Sequence, residues 1–451
     1  MRFLKWFGIF LLVLIIVYFV GPQPSTPKYK NDLPAIPSET AELEKYIADN
    51  EAKHKLKPDN EARIVWFNDS TKEKTEYAVV YLHGFSASQE EGDPVHREFA
   101  RKFGCNLYLA RLADHGIDTT NPLANYMAEK SWRSAVEAYA IGKQLGNKII
   151  LLSTSTGCTL ALKLCGEFPD ILANIMMSPN IAINDKNAWL LNNHWGLQIA
   201  QLIVGKHRTV EDTTALYARY WNNRYSTRSL VQLQELLEST MKESTFRNVT
   251  QPSLLLYYFK DKDHQDKVVK VSAMKRMFLQ LGTPDSLKRE VALTNAGNHV
   301  LASPIKSKDV ESVKKEIDKF AIEILKMQSL NISQIQFHCR DAMSPCANFE
   351  MKINSDGTAY YNPEFCNKGQ FKAVIKKAQY DSLFSLIANS GFFLLKNNYS
   401  GDIIDGAKYV LTVKLTNGKV KTIKDYGPCG PEEIQRVYEN IFSLRESQDW
   451  K

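Results

Sequence analysis

Long apolar runs are nearly absent from this chain of 451 residues. A single one exists, at the N-terminus, which excludes a polytopic membrane architecture. Dense basic stripes are absent too. The 57 Lys and Arg against 50 Asp and Glu leave +7 spread along the chain, with no basic arm of the kind that binds nucleic acid. Cysteine is sparse, seven in all, too few for a disulfide-dense scaffold. With neither CxxC spacing nor HExxH present, no metal site is assigned. Cys105, Cys158 and Cys165 sit in apolar surroundings and read as buried core thiols. Cys339, Cys346, Cys366 and Cys429 fall in the last quarter. An oxidising exterior would let some of these pair, in a connectivity the sequence leaves open. What is present, 44% hydrophobic and 24% charged residues, is the composition of an ordinary globular protein, long enough for two or three folded units.

The N-terminal run extends from Trp6 to Val20, preceded by Arg2 and Lys5. As a helix it spans roughly 22 Å, and Phe3 and Leu4 with a snorkelling Lys5 nearly complete a bilayer crossing. A cleaved signal peptide is the alternative. However, the exit Tyr18-Phe19-Val20-Gly21-Pro22 is bulky where cleavage wants small residues. Residues 1–21 therefore read as an uncleaved signal-anchor helix. The leading positive charges hold the short end in the cytoplasm and place the rest of the chain on the non-cytoplasmic side. Residues 22–60 follow as a spacer stiffened by Pro22, Pro24, Pro27, Pro34 and Pro37, ending in an amphipathic helix over Glu39 to Lys53.

From residue 61 to 328, strand-like and helix-like runs alternate, the pattern of a mostly parallel α/β sheet with helices on both faces. Strands are expected over Tyr77 to Leu82, Asn106 to Ala110, Lys148 to Leu152 and Ser253 to Phe259. Helices are expected from Ser131, as its cap, to Lys143, over Cys158 to Leu164, and over Asp309 to Met327. The most informative passage is Ser153-Thr154-Ser155-Thr156-Gly157, between a buried strand and a helix. A nucleophilic serine on such a sharp turn tolerates only small residues two positions away, here Ser153 and Gly157. The helix that follows aims its N-terminus at developing negative charge. Ser155 as a mere helix cap is the bland alternative. Against it stand acidic residues after a late strand, in Lys260-Asp261-Lys262-Asp263-His264, and His299 in the small-residue loop Gly297-Asn298-His299. Serine, acid and histidine then occur in the order of a triad.

These residues, with His83-Gly84-Phe85 after an early strand and Asp114-His115-Gly116 after the next, resemble the α/β-hydrolase superfamily, in its serine esterase, lipase and aminopeptidase-like branch. The resemblance covers about residues 61–328. It implies Ser155 as nucleophile, His299 as general base, and the backbone N–H groups of Phe85 and Thr156 as the oxyanion hole. Asp263 is favoured as the acid, with Asp261 and Asp266 near enough to compete. His83 and His115 match positions that are chiefly structural. No cofactor is implied.

A helical cap is expected over about 181–250, where Trp189, Trp195, Tyr217, Tyr220, Trp221 and Tyr225 make the chain aromatic-rich. These residues either line an acyl pocket or pack cap against core. Residues 333–451 read as a small α+β domain. Hairpins are expected at Phe349 to Tyr361 and around Asn417-Gly418, with helices over Ala378 to Asn389 and Pro431 to Arg445. This part resembles a domain of unknown function of bacterial envelope proteins, and Tyr360, Tyr361 and Tyr409 read as hairpin packing rather than a binding face. The leading expectation is a membrane-anchored serine hydrolase acting on a small-molecule or lipid-like acyl ester. The alternatives are an amidase or aminopeptidase with the same triad, and an inactive envelope binding protein.

Overall fold

The computed structural model describes all residues except 1, 70, 328, 330, 342, 345, 346, 367, 391, 394, 402–405 and 417, and the side chains of 2, 385, 388 and 389. Two compact units form. One comprises Met1–Val65, Lys74–Phe99 and Asn106–Lys326, and the other Trp66–Glu73, Ala100–Cys105 and Met327–Lys451. The short stretches 66–73 and 100–105, expected inside the 61–328 domain, thus group with the second unit.

In chain order the elements begin with α1 (Arg2–Val20), α2 (Thr40–Glu51), β1 (Arg63–Val65), β2 (Thr75–Leu82), α3 (Val95–Phe103) and β3 (Asn106–Leu109). Then come α4 (Ala128–Leu145), β4 (Gly146–Thr154), α5 (Thr156–Glu167) and β5 (Ile171–Met177). The cap region holds α6 (Gly196–Val204), the ribbon of β6 (His207–Thr209) and β7 (Arg224–Ser226) with α7 (Ala215–Tyr220) between, α8 (Thr227–Thr240) and α9 (Glu243–Asn248). The unit closes with β8 (Ser253–Tyr258), α10 (Val271–Gln280), β9 (Lys288–Leu293) and α11 (Val310–Glu323).

The seven-stranded sheet runs β1-β3-β2-β4-β5-β8-β9. β1 is antiparallel to β3 and every other pairing is parallel. The inner strands are apolar without alternation because helices cover both faces: Ala78 to Leu82 and Ile149 to Thr154 are buried at every position. Register places the strand exits side by side, with Leu82 opposite Ser153 and Thr154 opposite Met177. Every loop leaving the carboxyl end of a parallel strand therefore emerges on one rim, where α/β sheets bind their ligands.

Helix α4 starts at Ala128, so the expected cap at Ser131 is corrected. Met127 has the extended backbone of an N-cap, and the Ser131 N–H already donates back to the Met127 carbonyl. α11 starts where expected, with the Asp309 carboxylate accepting from the Ser312 N–H at 3.1 Å, but ends at Glu323 rather than Met327.

The second unit carries β10 (Ile332–Arg340), β11 (Phe349–Asn354), β12 (Thr358–Pro363), β13 (Phe371–Val374), α12 (Lys377–Asn389), β14 (Asn398–Ser400), β15 (Lys408–Leu415), β16 (Val420–Tyr426) and α13 (Glu432–Ser447). Its sheet runs β13-β12-β11-β10-β15-β16-β14, antiparallel except where β14 joins β16. Burial alternates along β10 and β11, leaving one face for a core of Ile335, Phe337, Phe349 and Met351 against Val437, Tyr438 and Ile441 of α13. Tyr361 and Tyr409 pack into that aromatic core, while Tyr360 is half-buried. The hairpin turn at Asn417 lies outside the described residues. Cys366 is disulfide-bonded, whereas Cys105, Cys158, Cys165, Cys339 and Cys429 keep free thiols. Cys346 lies outside the described residues.

Candidate active site

Ser155 sits between β4 and α5 at φ 53°, ψ −117°, a backbone conformation that costs a non-glycine residue about 1–3 kcal/mol. The turn is held from both ends. The Ser155 N–H donates to the Met177 carbonyl at 2.9 Å, and its own carbonyl accepts from Cys158 and Asn180. Gly157 is required by close approach: a Cβ there would lie 2.0 Å from the Leu82 carbonyl oxygen. Ser153, where glycine is more usual, fits because its hydroxyl turns into the sheet and donates to the Ile175 carbonyl at 3.3 Å.

Adjacent register brings His83-Gly84-Phe85 beside this turn, and a Cβ on Gly84 would lie 3.0 Å from that of Ser155. Two histidines fix the loop. His83 Nε2 accepts from the Leu112 N–H and His115 Nε2 accepts from the Ser86 N–H, both at 3.1 Å. Burial drives the His83 pKa far down and that of His115 to about 4, so both rings stay neutral clamps. Among the described residues, the Phe85 and Thr156 N–H groups donate to no protein acceptor. Thr156 is the first residue of α5, whose leading N–H groups have no partner within the helix.

His299 follows β9, and its Nδ1 lies 2.6 Å from Oδ2 of Asp266. Asp266 is 1% exposed, and its other oxygen accepts from the N–H groups of Val268 at 2.8 Å and Val269 at 3.1 Å. The expectation of Asp263 is corrected by this geometry. After β8 the chain makes an added excursion, closed by the Phe259–Gln265 bridge and a Lys260 N–H to His264 carbonyl bond. Asp263 is exposed on it, while Asp261 accepts from the Asp263 and His264 N–H groups and from the His264 ring. The excursion carries both past the imidazole, and Asp266 is the first acid to return to the rim.

Burial pushes the Asp266 carboxyl up, but the charge and hydrogen bond of His299 and the two valine N–H groups leave it below its ordinary value. Burial pulls His299 down. Asp266, by charge and hydrogen bond, and the charge of Glu91 outweigh this and leave it raised. Glu91 is a site residue that sequence reasoning missed. It is 2% exposed, accepts from the Gly84 N–H at 2.5 Å and from the Trp221 side chain, and is pushed up by burial to about 7. Nothing marks it in sequence, since one acid in Gln89-Glu90-Glu91-Gly92 reads as solvated surface.

The cap aromatics divide. Tyr217, Tyr220 and Trp221 pack with Ala87 and Val300, next to His299, while Tyr225 joins Tyr126 and Leu233 around Phe85. These four face the rim. Trp189 is exposed, and Trp195 packs against Gly21. Among the described residues no His, Cys, Asp and Glu side chains converge as a metal-binding group.

The parallel sheet order, the strained serine after its central strand and the histidine after its last one make this an α/β-hydrolase fold. Residues 333–445 match the model of a family described as a domain of unknown function, DUF6438. No curated protein matches the chain. Among solved structures, one from work on LipS and LipT, two metagenome-derived lipolytic enzymes, is 17% identical. It aligns with 59% of this chain and 98% of its own, at TM-score 0.48. The Pyrococcus furiosus esterase Pf2001 is 16% identical over 66% of this chain and 99% of its own, at TM-score 0.38. The esterase domain of a Rhodothermus marinus protein is 18% identical over 58% and 98%, at TM-score 0.35.

Proposed function

We propose that the protein is a membrane-anchored serine hydrolase that cleaves carboxylic esters through an acyl-enzyme intermediate. The observation that carries this reading is the buried Asp266–His299 pair on the strand rim that also presents Ser155. In the mechanism, His299 takes the Ser155 proton as the hydroxyl attacks the acyl carbonyl, and Asp266 holds the imidazole tautomer. The Phe85 and Thr156 N–H groups receive the oxyanion, each worth about 3 kcal/mol in the transition state. Protonated His299 releases the alcohol, and water, activated by the same imidazole, frees the acid. The aromatic residues around Phe85 and Val300 offer the acyl group an apolar wall.

Helix α1 serves as the anchor. Phe3–Val20 is exposed throughout with a mean hydropathy of 2.6, and Arg2 and Lys5 direct the remaining chain to the non-cytoplasmic side.

A fluorophosphonate probe is expected to form one adduct, on the Ser155 peptide, and a substrate panel to show hydrolysis of esters well above the matched amides. Absence of the adduct leaves an inert binding protein, and preference for amides moves the reaction to the amidase class.

The pH profile tests the environment of the base. His299 works only when neutral and its pKa is raised, so kcat/KM climbs along an acid limb lying above 6.5. Glu91 is itself pushed up to about 7 by burial, so it favours the protonated ring only in the upper part of this limb, where it is ionised. Glu91→Gln removes that charge, and there the limb is expected to move to lower pH. Tyr81, Tyr217 and Cys158, the other titratable groups that feel Glu91, are raised by burial and stay neutral in this window. An unmoved limb in kcat/KM against pH removes Glu91 from the site.

A further inference from the structure

The exit of α1 is bound to the cap. Val17 carries one of the last carbonyls of α1, which lack helical partners, and this carbonyl accepts from Trp195 Nε1 at 2.9 Å. The Gly21 carbonyl lies 2.7 Å from His194 Nδ1 and that of Pro22 accepts from the Trp195 N–H. Tyr18 and Phe19 pack edge-on against the His194 ring. Gly21 is needed here, because a Cβ would fall 2.1 Å from the Trp195 ring nitrogen.

Trp195 is also the N-cap of α6. That helix, Gly196-Leu197-Gln198-Ile199-Ala200-Gln201-Leu202-Ile203-Val204, contains no charge and turns much of its apolar surface outward. Ile199 is 36% exposed, Leu202 88%, Ile203 77% and Val204 41%. A nine-residue helix is only about 14 Å long, so none of these side chains is far from the point where α1 leaves the bilayer. Lys206 and Arg208 follow immediately and are exposed, as charges at a headgroup layer would be.

We propose that α6 lies in the membrane interface beside the anchor, with Ile199, Leu202, Ile203 and Val204 among the acyl chains of the bilayer. The occupant is lipid because α6 starts at Trp195, the residue hydrogen-bonded directly to the exit of a helix whose own surface is suited only to lipid, and because its outward side chains are apolar and uncharged. The proposal rests on the reading of α1 as an anchor. Its consequence for the site is delivery: α6 packs on α8, and Leu233 of α8 stands with Phe85. An ester-bearing lipid in the interface is thus separated from the rim by one helix.

The test uses the full chain reconstituted in phosphatidylcholine–phosphatidylglycerol vesicles carrying a trace of phosphatidylcholine with a diazirine in its acyl chain, followed by irradiation and peptide mapping. Adducts are expected in α1 and in residues 197–204, and not at Leu279 on α10, which is as exposed as Ile203 (77%). Leu202→Glu with Ile203→Glu is expected to lower the cap adducts about a hundredfold while α1 labelling and thermal melting stay unchanged, since both side chains are exposed. Adducts in α1 with 197–204 at the Leu279 background overturn the proposal and leave the anchor standing. A chain-to-chain crosslink through α6 in place of lipid adducts also overturns it. No adducts in α1 overturn the anchor itself, and the proposal with it.

Discussion

Asp266→Asn is expected to lower kcat by about 10⁴, while Asp263→Asn leaves it within about twofold. The asparagine can still accept from the Val268 and Val269 N–H groups through its oxygen, so the loop after β8 keeps its shape and the protein its melting temperature. Its NH₂ group, however, faces His299 Nδ1 where a carboxylate stood 2.6 Å away. A donor there favours the tautomer with the proton on Nε2, which leaves no lone pair to take the serine proton. Asp263 is exposed, and its substitution changes only a turn already held by Asp261. Steady-state kinetics on one ester decide the matter. The reverse pattern, with Asp263→Asn crippling and Asp266→Asn mild, removes Asp266 from the mechanism.

This pair of substitutions also marks the limit of what the sequence reveals. Parallel strands were legible because burial on both faces leaves uninterrupted runs such as Val79-Val80-Tyr81-Leu82 and Ile149-Ile150-Leu151-Leu152. The turn at Ser155 was legible because its geometry admits only small residues two positions away, a constraint written in three alternate positions, Ser153, Ser155 and Gly157. The acid carries no comparable constraint. Any Asp after β8 reads alike, and choosing among three required knowing that residues 260–265 fold into a closed excursion. One local trace existed: Asp266 precedes Val268-Val269, whose N–H groups it accepts, whereas Asp263 stood too far from Val268. Glu91 left no trace, because its burial depends on contacts with Gly84 and Trp221, separated from it by 7 and 130 residues. Such partners are joined by the fold and not by any periodicity. The cap aromatics show the same limit, since composition could not separate Trp221 beside Val300 from Trp189 in solvent.

Ser155→Ala is expected to have the largest effect of all, a fall in kcat of about 10⁶ with loss of the fluorophosphonate adduct and little change in KM. The methyl group removes the proposed nucleophile while the proposed oxyanion donors, Phe85 and Thr156, stay in place, so a residual rate of about 10³–10⁴ over water is expected to persist. A second substitution separates chemistry from backbone strain. Ala at φ 53° inherits the conformation Ser155 was forced into, but Gly adopts positive φ without a Cβ penalty. Ser155→Gly is therefore expected to be as inactive as Ser155→Ala and yet more stable by about 1 kcal/mol, read as a higher melting temperature. Equal melting temperatures for the two variants would mean that the strain relieved is no larger than the extra unfolded-state entropy of glycine, about 0.4–1 kcal/mol. Retained turnover in either would place the nucleophile elsewhere and remove Ser155 from the proposed triad.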